Sequence, residues 1–333
     1  MKILNIKDAP IKVFGIPFFD KKKVFERIPL EIREGVKSLE FLGKRCPGAR
    51  VGFKTDAAEF TVRMSFKTFS VDAGMSIFAA HSANVMLGER QNSEYIGHVC
   101  PPDYNTKKFE KTFKKNDKME EVTVWLPRNE ELDEVELVFP DDARVEAPTP
   151  YKYGPALYYG SSITEGGCST GVTLGYNALL SRWLDLDYYN FGFSGSAKGE
   201  LEIADYINTI DFSVFIMDYD HNAWNCDELK RTHEPFFKRI REKNPDTPVL
   251  FLTRPNFYHT DDSAERREIV RETYENAVKN GDKNVYFIDG ETFFGEKDRT
   301  LCTVDLTHPN DIGFYRMAEV IYPVMKEILE KSE

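Results

Sequence analysis

The sequence predicts an α/β protein in which an N-terminal β-sandwich domain precedes a three-layer α/β/α domain with a parallel sheet. Apolar and polar residues alternate in the first half of the 333-residue chain, whereas short apolar segments alternate with helical patterns in the second half. Pro148, Pro150 and Pro155 mark the change between them. We therefore expect a jelly-roll-like sandwich over residues 1–150 and the α/β domain over residues 151–333.

Three segments of the first half have the alternation of strands with one buried face. In Phe60–Phe66, phenylalanine, valine and methionine alternate with threonine, arginine and serine. Val122–Leu126 and Val135–Phe139 follow the same pattern. A period of two residues places the apolar side chains of a strand on one face. Several short strands without convincing helices are typical of a β-sandwich.

Five short apolar segments of the second half indicate strands that are buried on both faces. Helical patterns lie between them, so the strands run parallel and are connected by helices. Reactive groups in such sheets lie beyond the carboxyl ends of the strands. The predicted strands are Ala156–Tyr159, Tyr188–Phe191, Val214–Met217, Val249–Leu252 and Val285–Ile288, and the predicted helices are Thr173–Leu184, Glu200–Ile210, Asp227–Lys243, Ser263–Asn280 and Asp311–Lys331.

Charge and composition argue against several classes of protein. The formal net charge of −11 repels phosphate backbones and anionic lipids, so we expect no nucleic-acid partner. No segment approaches the ~18 apolar residues of a membrane span, and no signal-peptide pattern is present. We therefore expect no membrane association and a cytoplasmic location. The five scattered cysteines include no CxxC pair, which indicates neither a disulfide framework nor a zinc site.

A small Gly-Ser turn follows the first predicted strand of the second half. Residues 160–164 read Gly-Ser-Ser-Ile-Thr, and such a turn between a strand and a helix can expose a hydroxyl at the edge of the sheet. Serines are also common at this place because they cap helices. The turn by itself therefore leaves a catalytic and a capping role open.

The next two strands are also followed by small or polar residues. Residues 192–195 read Gly-Phe-Ser-Gly, and glycine lets the backbone approach a ligand closely. Residues 218–223 read Asp-Tyr-Asp-His-Asn-Ala, in which the amide of Asn222 could donate a hydrogen bond to a developing oxyanion. Tight turns would explain both segments equally well. A metal site is disfavoured because no second histidine or cysteine stands at ligand spacing.

Asp305 and His308 lie just before the last predicted helix. Pro309 disfavours helical backbone at His308, so the pair lies on a loop. A carboxylate three residues before a histidine can accept the Nδ1–H of the imidazole ring. The ring then keeps the tautomer whose Nε2 can take a proton from a serine. If His308 is such a base, activity falls in acid as the ring becomes protonated.

Taken in order along the chain, these four segments resemble the SGNH (GDSL-like) hydrolase family. The family's first block usually reads Gly-Asp-Ser-Ile-Thr, which places the nucleophile at Ser162. The family's glycine falls on Gly195, its asparagine on Asn222, and its final pair on Asp305 and His308. The resemblance implies a catalytic triad that needs no metal or other cofactor. It also implies an oxyanion hole formed by the N–H groups of Ser162 and Gly195 and the side chain of Asn222.

Two positions depart from the family pattern. Ser161 replaces the usual aspartate, and Asn222 lies in Asp-His-Asn-Ala where Gly-Thr-Asn-Asp is common. The chain looks like a subgroup in which an N-terminal sandwich carries a Gly-x-Asp-Leu-Tyr motif, and Gly74–Phe78 matches this motif loosely. The resemblance thus extends over the whole chain and makes residues 151–333 the catalytic domain.

The resemblance favours a carboxylic ester hydrolase that acts on short-chain esters, above all acetyl esters of a carbohydrate, because sandwich-containing members of the family include carbohydrate esterases. The loops after the strands are polar and offer no apolar groove for a long acyl chain. Tyr219, Trp224 and Tyr258 lie in or beside these loops and are candidates to stack on a sugar, although packing would explain them equally.

Two alternatives stay open at this point. One is a lipase-like hydrolase of acyl esters or thioesters, and the other is a catalytically weak carbohydrate-binding protein. The expected partner is a small-molecule or oligosaccharide ester. The sequence leaves the oligomeric state open.

Overall fold

A computed structural model describes residues 1–72, 74–255 and 260–332 of the chain. Its elements follow the predicted order, with strands before residue 147 and alternating strands and helices after residue 152. The strands are β1 (Lys2–Asn5), β2 (Lys12–Phe14), β3 (Arg50–Thr55), β4 (Glu59–Phe66), β5 (Ala83–Leu87), β6 (Glu94–Val99), β7 (Lys108–Lys114), β8 (Glu120–Trp125), β9 (Leu132–Phe139), β10 (Val145–Glu146), β11 (Tyr153–Gly160), β12 (Leu186–Gly192), β13 (Val214–Asp218), β14 (Val249–Leu252) and β15 (Val285–Ile288). The helices are α1 (Phe19–Lys22), α2 (Leu30–Gly35), α3 (Ile77–His81), α4 (Ser162–Glu165), α5 (Tyr176–Leu184), α6 (Leu201–Ile207), α7 (Cys226–Arg241), α8 (Ser263–Lys279) and α9 (Asp311–Lys331).

Two antiparallel sheets form the first half of the chain. One has the strand order β1-β9-β4-β7, and the other has the order β10-β3-β8-β5-β6 with β2 beside β3. Their apolar faces enclose one core, in which the Phe53 ring of the second sheet packs edge-on against Phe60 and Phe139 of the first. Burial alternates along β4, as the period of two residues predicts. The predicted sandwich is confirmed.

A five-stranded parallel sheet forms the centre of the second half. Its strand order is β12-β11-β13-β14-β15. Helices α5 and α9 cover one face, and α6, α7 and α8 cover the other. The three-layer α/β/α prediction is confirmed, and β14, β15 and α9 have the predicted bounds.

Several elements differ from the sequence prediction. Strands β11 and β12 begin three and two residues earlier than predicted, and β11, β12 and β13 each end one residue later. The first half contains α1, α2 and α3, which the strand pattern does not predict because helices of four to six residues show no clear periodicity. Helix α5 begins at Tyr176 and not at Thr173, since Gly175 stands at its N-cap. Within the described ranges, no helix is both long and apolar enough to cross a membrane.

The two halves share their hydrophobic cores. Ile28 and Leu39 of the first half are buried in the cluster that includes Phe191 and Phe193 of the second. Trp125 is likewise buried with residues of α5 and α9. The last antiparallel strand ends at residue 146 and the first parallel strand begins at residue 153. The division into two domains at residue 150 stays a prediction.

We predict that the two halves unfold together. Replacing the fully buried Leu39 by alanine should lower the free energy of unfolding by about 2–5 kcal/mol, because its side chain fills space in the core of the other half. Denaturant unfolding followed by far-UV and near-UV circular dichroism would measure the change.

The matched control for this experiment is Leu30→Ala, because Leu30 lies nearby in the chain but is 54% exposed. This change should lower the free energy of unfolding by no more than about 0.5 kcal/mol. Two separate transitions, of which Leu39→Ala shifts only one, would contradict the prediction.

Candidate active site

The candidate site lies at the carboxyl ends of β11, β12 and β13, which are neighbours in the sheet. Strand β11 lies between the other two, with β12 on one side and β13 on the other. A crevice forms where the direction of connection reverses, and ligands of open α/β sheets bind there. The segments singled out in the sequence therefore meet at one edge of the sheet.

The turn after β11 gives its two serines different tasks. Ser161 is buried and caps α4, because its Oγ accepts a hydrogen bond from the N–H of Ile163 at 3.1 Å. Ser162 is the first residue of the helix, and its Oγ lies 2.8 Å from Nε2 of His308. The turn thus contains both roles that the sequence left open. Ser161 caps the helix, and Ser162 contacts the imidazole.

His308 and Asp305 form a local pair on the loop before α9. Nδ1 of His308 lies 2.7 Å from Oδ2 of Asp305, while Oδ1 accepts hydrogen bonds from the backbone N–H groups of Thr307 and His308. Burial acts to raise the pKa of Asp305, but these hydrogen bonds outweigh it and leave the pKa below its ordinary value. The ionised carboxylate fixes the Nδ1–H tautomer, so Nε2 faces Ser162 as an acceptor.

The loop with His308 is tied to the loop that follows α4. Asp311 accepts hydrogen bonds from the backbone N–H of Thr170 at 2.8 Å and from its hydroxyl at 2.6 Å. Asn310 caps α9 through the N–H of Gly313. These contacts hold the imidazole over Ser162, although 146 residues separate the two in sequence.

Gly195 and Asn222 belong to neighbouring loops that touch. The Nδ2 of Asn222 donates to the carbonyl of Phe193 at 2.9 Å, which uses one of its two N–H groups. Gly195 has a φ of +65°, in the left-handed region that favours glycine, and a β-carbon built there meets no atom within 4 Å. The structure thus brings both residues to the edge of the sheet where Ser162 lies and leaves open space beside Gly195.

Comparisons with known proteins identify the family of the chain. The sequence profile of the GDSL-like lipase/acylhydrolase family matches residues 154–326, and that of the N-terminus of SGNH-hydrolase-type esterases matches residues 1–145. The chain belongs to the GDSL-like lipase/acylhydrolase family. The resemblance found in the sequence is therefore confirmed, and it extends to the N-terminal region. A search of curated protein sequences gives no match.

Several solved structures share this fold over nearly the full length of both chains. A GDSL-like lipase from Bacteroides ovatus is 25% identical, with a TM-score of 0.88 over 99% of this chain and 98% of that chain. The salicylyl-acyltransferase SsfX3 from a tetracycline biosynthetic pathway is 20% identical, with a TM-score of 0.81 over 98% and 97%. A family two carbohydrate esterase from Cellvibrio japonicus is 13% identical, with a TM-score of 0.68 over 100% and 99%.

The aromatic residues proposed as sugar contacts have three different outcomes. The interpretation of Tyr219 is wrong, because its ring is 1% exposed, packs against Tyr159 and His233, and donates its hydroxyl proton to Thr232. Trp224 is 77% exposed, with Nζ of Lys198 4.2 Å from its ring centroid. Tyr258 lies outside the described residues.

Two buried acidic residues to which the sequence analysis gave no role lie under the turn that carries Ser162. Asp218, the last residue of β13, accepts hydrogen bonds from the hydroxyls of Thr164 and Tyr176, both at 2.8 Å. Burial raises the pKa of Asp218 to about 7. Glu165 is buried beside Ser194. The position of Asp218 at the end of an apolar strand was the only sequence signal for it, and Glu165 had none beyond its nearness to Ser162.

His221 does not supply a metal site in the part of the chain that the structure covers. Burial lowers its pKa to about 3, with Arg254 and His308 acting in the same direction, so the ring is neutral at ordinary pH. No group of three or more histidine, cysteine, aspartate or glutamate side chains suited to a metal occurs among the described residues. All five cysteines are free.

We predict that the two serines differ in their effect on stability. Ser161→Ala should lower the free energy of unfolding by about 0.5–2 kcal/mol, because the first turn of α4 loses its cap. Ser162→Ala leaves the cap in place, so it should lower the free energy of unfolding by less. Urea unfolding of both variants would test this, and a larger loss for Ser162→Ala would contradict the capping assignment.

Proposed function

We propose that this protein is a serine esterase that removes short acyl groups, above all acetyl, from a carbohydrate or a similarly polar alcohol. The observation that carries the proposal is the continuous hydrogen-bonded chain from Asp305 through His308 to Ser162, with distances of 2.7 and 2.8 Å. A serine hydroxyl becomes a nucleophile when an oriented base stands ready to take its proton. Membership of an acylhydrolase family supports the same chemistry.

The first half of the reaction forms an acyl-enzyme. Oγ of Ser162 attacks the ester carbonyl carbon while Nε2 of His308 takes the hydroxyl proton. The negative charge that develops on the carbonyl oxygen is stabilised by the N–H groups of Ser162 and Gly195 and by the free N–H of Asn222. The bond from carbon to the alcohol oxygen then breaks, and the alcohol leaves with the proton from His308. Asp305 stays ionised and stabilises the imidazolium.

The second half of the reaction releases the acid. His308 takes a proton from a water molecule, which attacks the acyl carbon of the acyl-enzyme. The same three donors stabilise the second tetrahedral intermediate. The bond between the acyl carbon and Oγ breaks, Ser162 recovers its proton from His308, and the carboxylic acid is released.

The proposed substrate class is supported by an exposed aromatic ring near Asn222 in the sequence and by one structural neighbour. Trp224 is exposed two residues beyond Asn222 and offers a ring face to a sugar. A carbohydrate esterase from Cellvibrio japonicus has the same fold over the full length of both chains, which supports a carbohydrate ester by analogy. Holding a long acyl chain would instead require burial of its methylenes, each contributing about 0.8 kcal/mol.

One observation favours the lipase-like alternative. Leu301, Val304 and Leu306 are exposed on the segment that leads to His308, with 63%, 52% and 49% of their surface accessible. Apolar side chains at this place would suit a longer acyl chain. A catalytically weak carbohydrate-binding protein has less support, because all three members of the triad are in contact.

We predict that Ser162 is the nucleophile. Ser162→Ala should abolish hydrolysis of p-nitrophenyl acetate and capture by a serine-reactive phosphonate, because it removes the attacking oxygen. His308→Ala should be nearly as damaging, since the two residues act as a unit. Initial rates and intact-protein mass spectrometry would measure the two effects.

The matched control for the nucleophile is Ser161→Ala, which should keep substantial activity. An active Ser162→Ala enzyme, or phosphonate attached to another residue, would refute the assignment. A wild-type protein that neither hydrolyses the ester nor reacts with the phosphonate would instead support the binding protein.

We predict that kcat/KM does not rise with acyl chain length. A series of p-nitrophenyl esters from acetate to octanoate, beside acetylated xylo- and manno-oligosaccharides, would test this. Trp224→Ala should lower kcat/KM for the acetylated sugars while leaving p-nitrophenyl acetate nearly unchanged, because only the sugar reaches the tryptophan. A steady rise towards octanoate, with no acetate released from any sugar, would favour a lipid or thioester substrate.

A further inference from the structure

Glu165 connects the nucleophile helix to the loop of the oxyanion hole. It lies one turn after Ser162 on α4, and its side chain is 3% exposed. Oε2 of Glu165 accepts hydrogen bonds from the backbone N–H of Ser194, at 3.1 Å, and from the Ser194 hydroxyl. Ser194 directly precedes Gly195. The backbone that would present the Gly195 N–H is therefore held by the helix that carries the nucleophile.

The second oxygen of Glu165 faces an arginine from the first half of the chain. Oε1 lies 3.8 Å from Nη2 of Arg27 and has no hydrogen-bond partner within the described ranges. Arg27 is fully buried. Burial lowers its pKa to about 10, although Glu165 acts to raise it, so the guanidinium stays charged at neutral pH. A buried carboxylate and a buried guanidinium thus face one another behind the site.

Arg27 holds the same loop from the opposite side. Its Nη1 donates to the carbonyls of Asn190 and Gly192, at 2.7 and 2.6 Å, where β12 ends. The guanidinium also lies 4.4 Å from the ring centroid of Phe193. Residues 190–194 are therefore fixed by Arg27 at one end and by Glu165 at the other.

We infer that Arg27 and Glu165 are positioning residues that set the backbone of Gly195 for oxyanion stabilisation, so that the N-terminal region takes part in catalysis through Arg27. The inference rests on the proposed function. A donor in an oxyanion hole is effective only when it lies about 2.7–3.1 Å from the place that the oxyanion will occupy. Small shifts of residues 190–195 would remove the Gly195 N–H from that range and leave Ser162 and His308 in contact.

A second buried pair between the two halves provides a matched control. Arg50 of β3 is fully buried and pairs with Asp187 of β12. Asp187 stands at the start of the strand, whereas Gly192 and the loop stand at its end. Loss of either pair should weaken the association of the halves, but only loss of the Arg27–Glu165 pair should alter the site.

The experiment compares Glu165→Gln with Asp187→Asn in the full chain. Glu165→Gln keeps size and an acceptor oxygen but removes the charge that faces Arg27. We expect kcat for p-nitrophenyl acetate to fall by about 10- to 100-fold with KM changed less than about twofold, a smaller loss than for removal of a whole donor. Asp187→Asn should lower the unfolding midpoint but leave kcat within about twofold of wild type, because it touches no group of the oxyanion hole.

Ser194→Ala keeps the test decisive if Glu165→Gln does not fold. Ser194 is exposed, so the variant should still fold, although it loses one hydrogen bond to a buried carboxylate. Its kcat should fall by about three- to tenfold because Glu165 keeps only one of two donors. Combining either variant with Asn222→Ala should give a loss smaller than the product of the single losses, since Asn222 binds the same loop through Phe193.

Four results separate the inference from the proposed function. Equal kcat losses for Glu165→Gln and Asp187→Asn, or losses confined to KM, in an active enzyme would overturn the inference alone. An unchanged kcat in Ser194→Ala would also overturn it, if the double variants with Asn222→Ala lose as much activity as the product of the single losses predicts. A wild-type protein that a serine-reactive phosphonate does not label at Ser162 would overturn both.

Discussion

The burial of two arginines between the halves of the chain is the constraint on which the site depends. A guanidinium leaves water at low cost only if its N–H groups find acceptors and its charge finds a partner. Arg128 donates to the carbonyls of Ala79 and Ser169, and Arg27 donates to carbonyls at the end of β12. Glu165 lies near both and acts to raise both pKa values, which burial lowers. Because Ser169 and the end of β12 belong to the segments around Ser162 and Gly195, the bonds that make burial tolerable also shape the site.

Close backbone packing explains why small residues occupy the turns. A β-carbon at Gly160 would lie 2.3 Å from the carbonyl oxygen of Asp218, and one at Gly192 would lie 2.2 Å from the backbone nitrogen of Glu165. Both distances are far below contact, so only glycine allows the ends of β11, β12 and β13 to approach. The same closeness brings the Ser162, Gly195 and Asn222 segments to one place. The packing of the sheet and the assembly of the proposed oxyanion hole therefore depend on the same close approach.

The buried base of the site and its exposed rim are built differently. The base is held by hydrogen bonds between residues far apart in sequence, in which Asp218 of β13 accepts from the hydroxyls of Thr164 and Tyr176. The rim that carries His308 is more exposed and mostly local, because the pair with Asp305 forms within four residues and the Thr170–Asp311 bonds anchor the loop. Ser162 thus lies on a turn held by buried contacts and faces an imidazole on a loop whose geometry comes from its own sequence. Under the proposed function, this arrangement preorganises the reacting groups and leaves the exposed rim able to admit a substrate.

The sequence by itself determined the two sheet architectures, most strand and helix positions, and the Asp305–His308 pair, because each is encoded within a few consecutive residues by periodicity, turn chemistry or spacing. The chemistry of the Gly-Ser turn left the two serines undecided, and the family pattern pointed to Ser162. The tertiary structure brings Ser162, and not Ser161, to the imidazole, because the histidine comes from the far end of the chain. It likewise buried Tyr219 and exposed Trp224, two aromatics of one loop. Arg27 had no signal in the sequence, and Glu165 had none beyond its nearness to Ser162, because a side chain's partners depend on how distant segments pack.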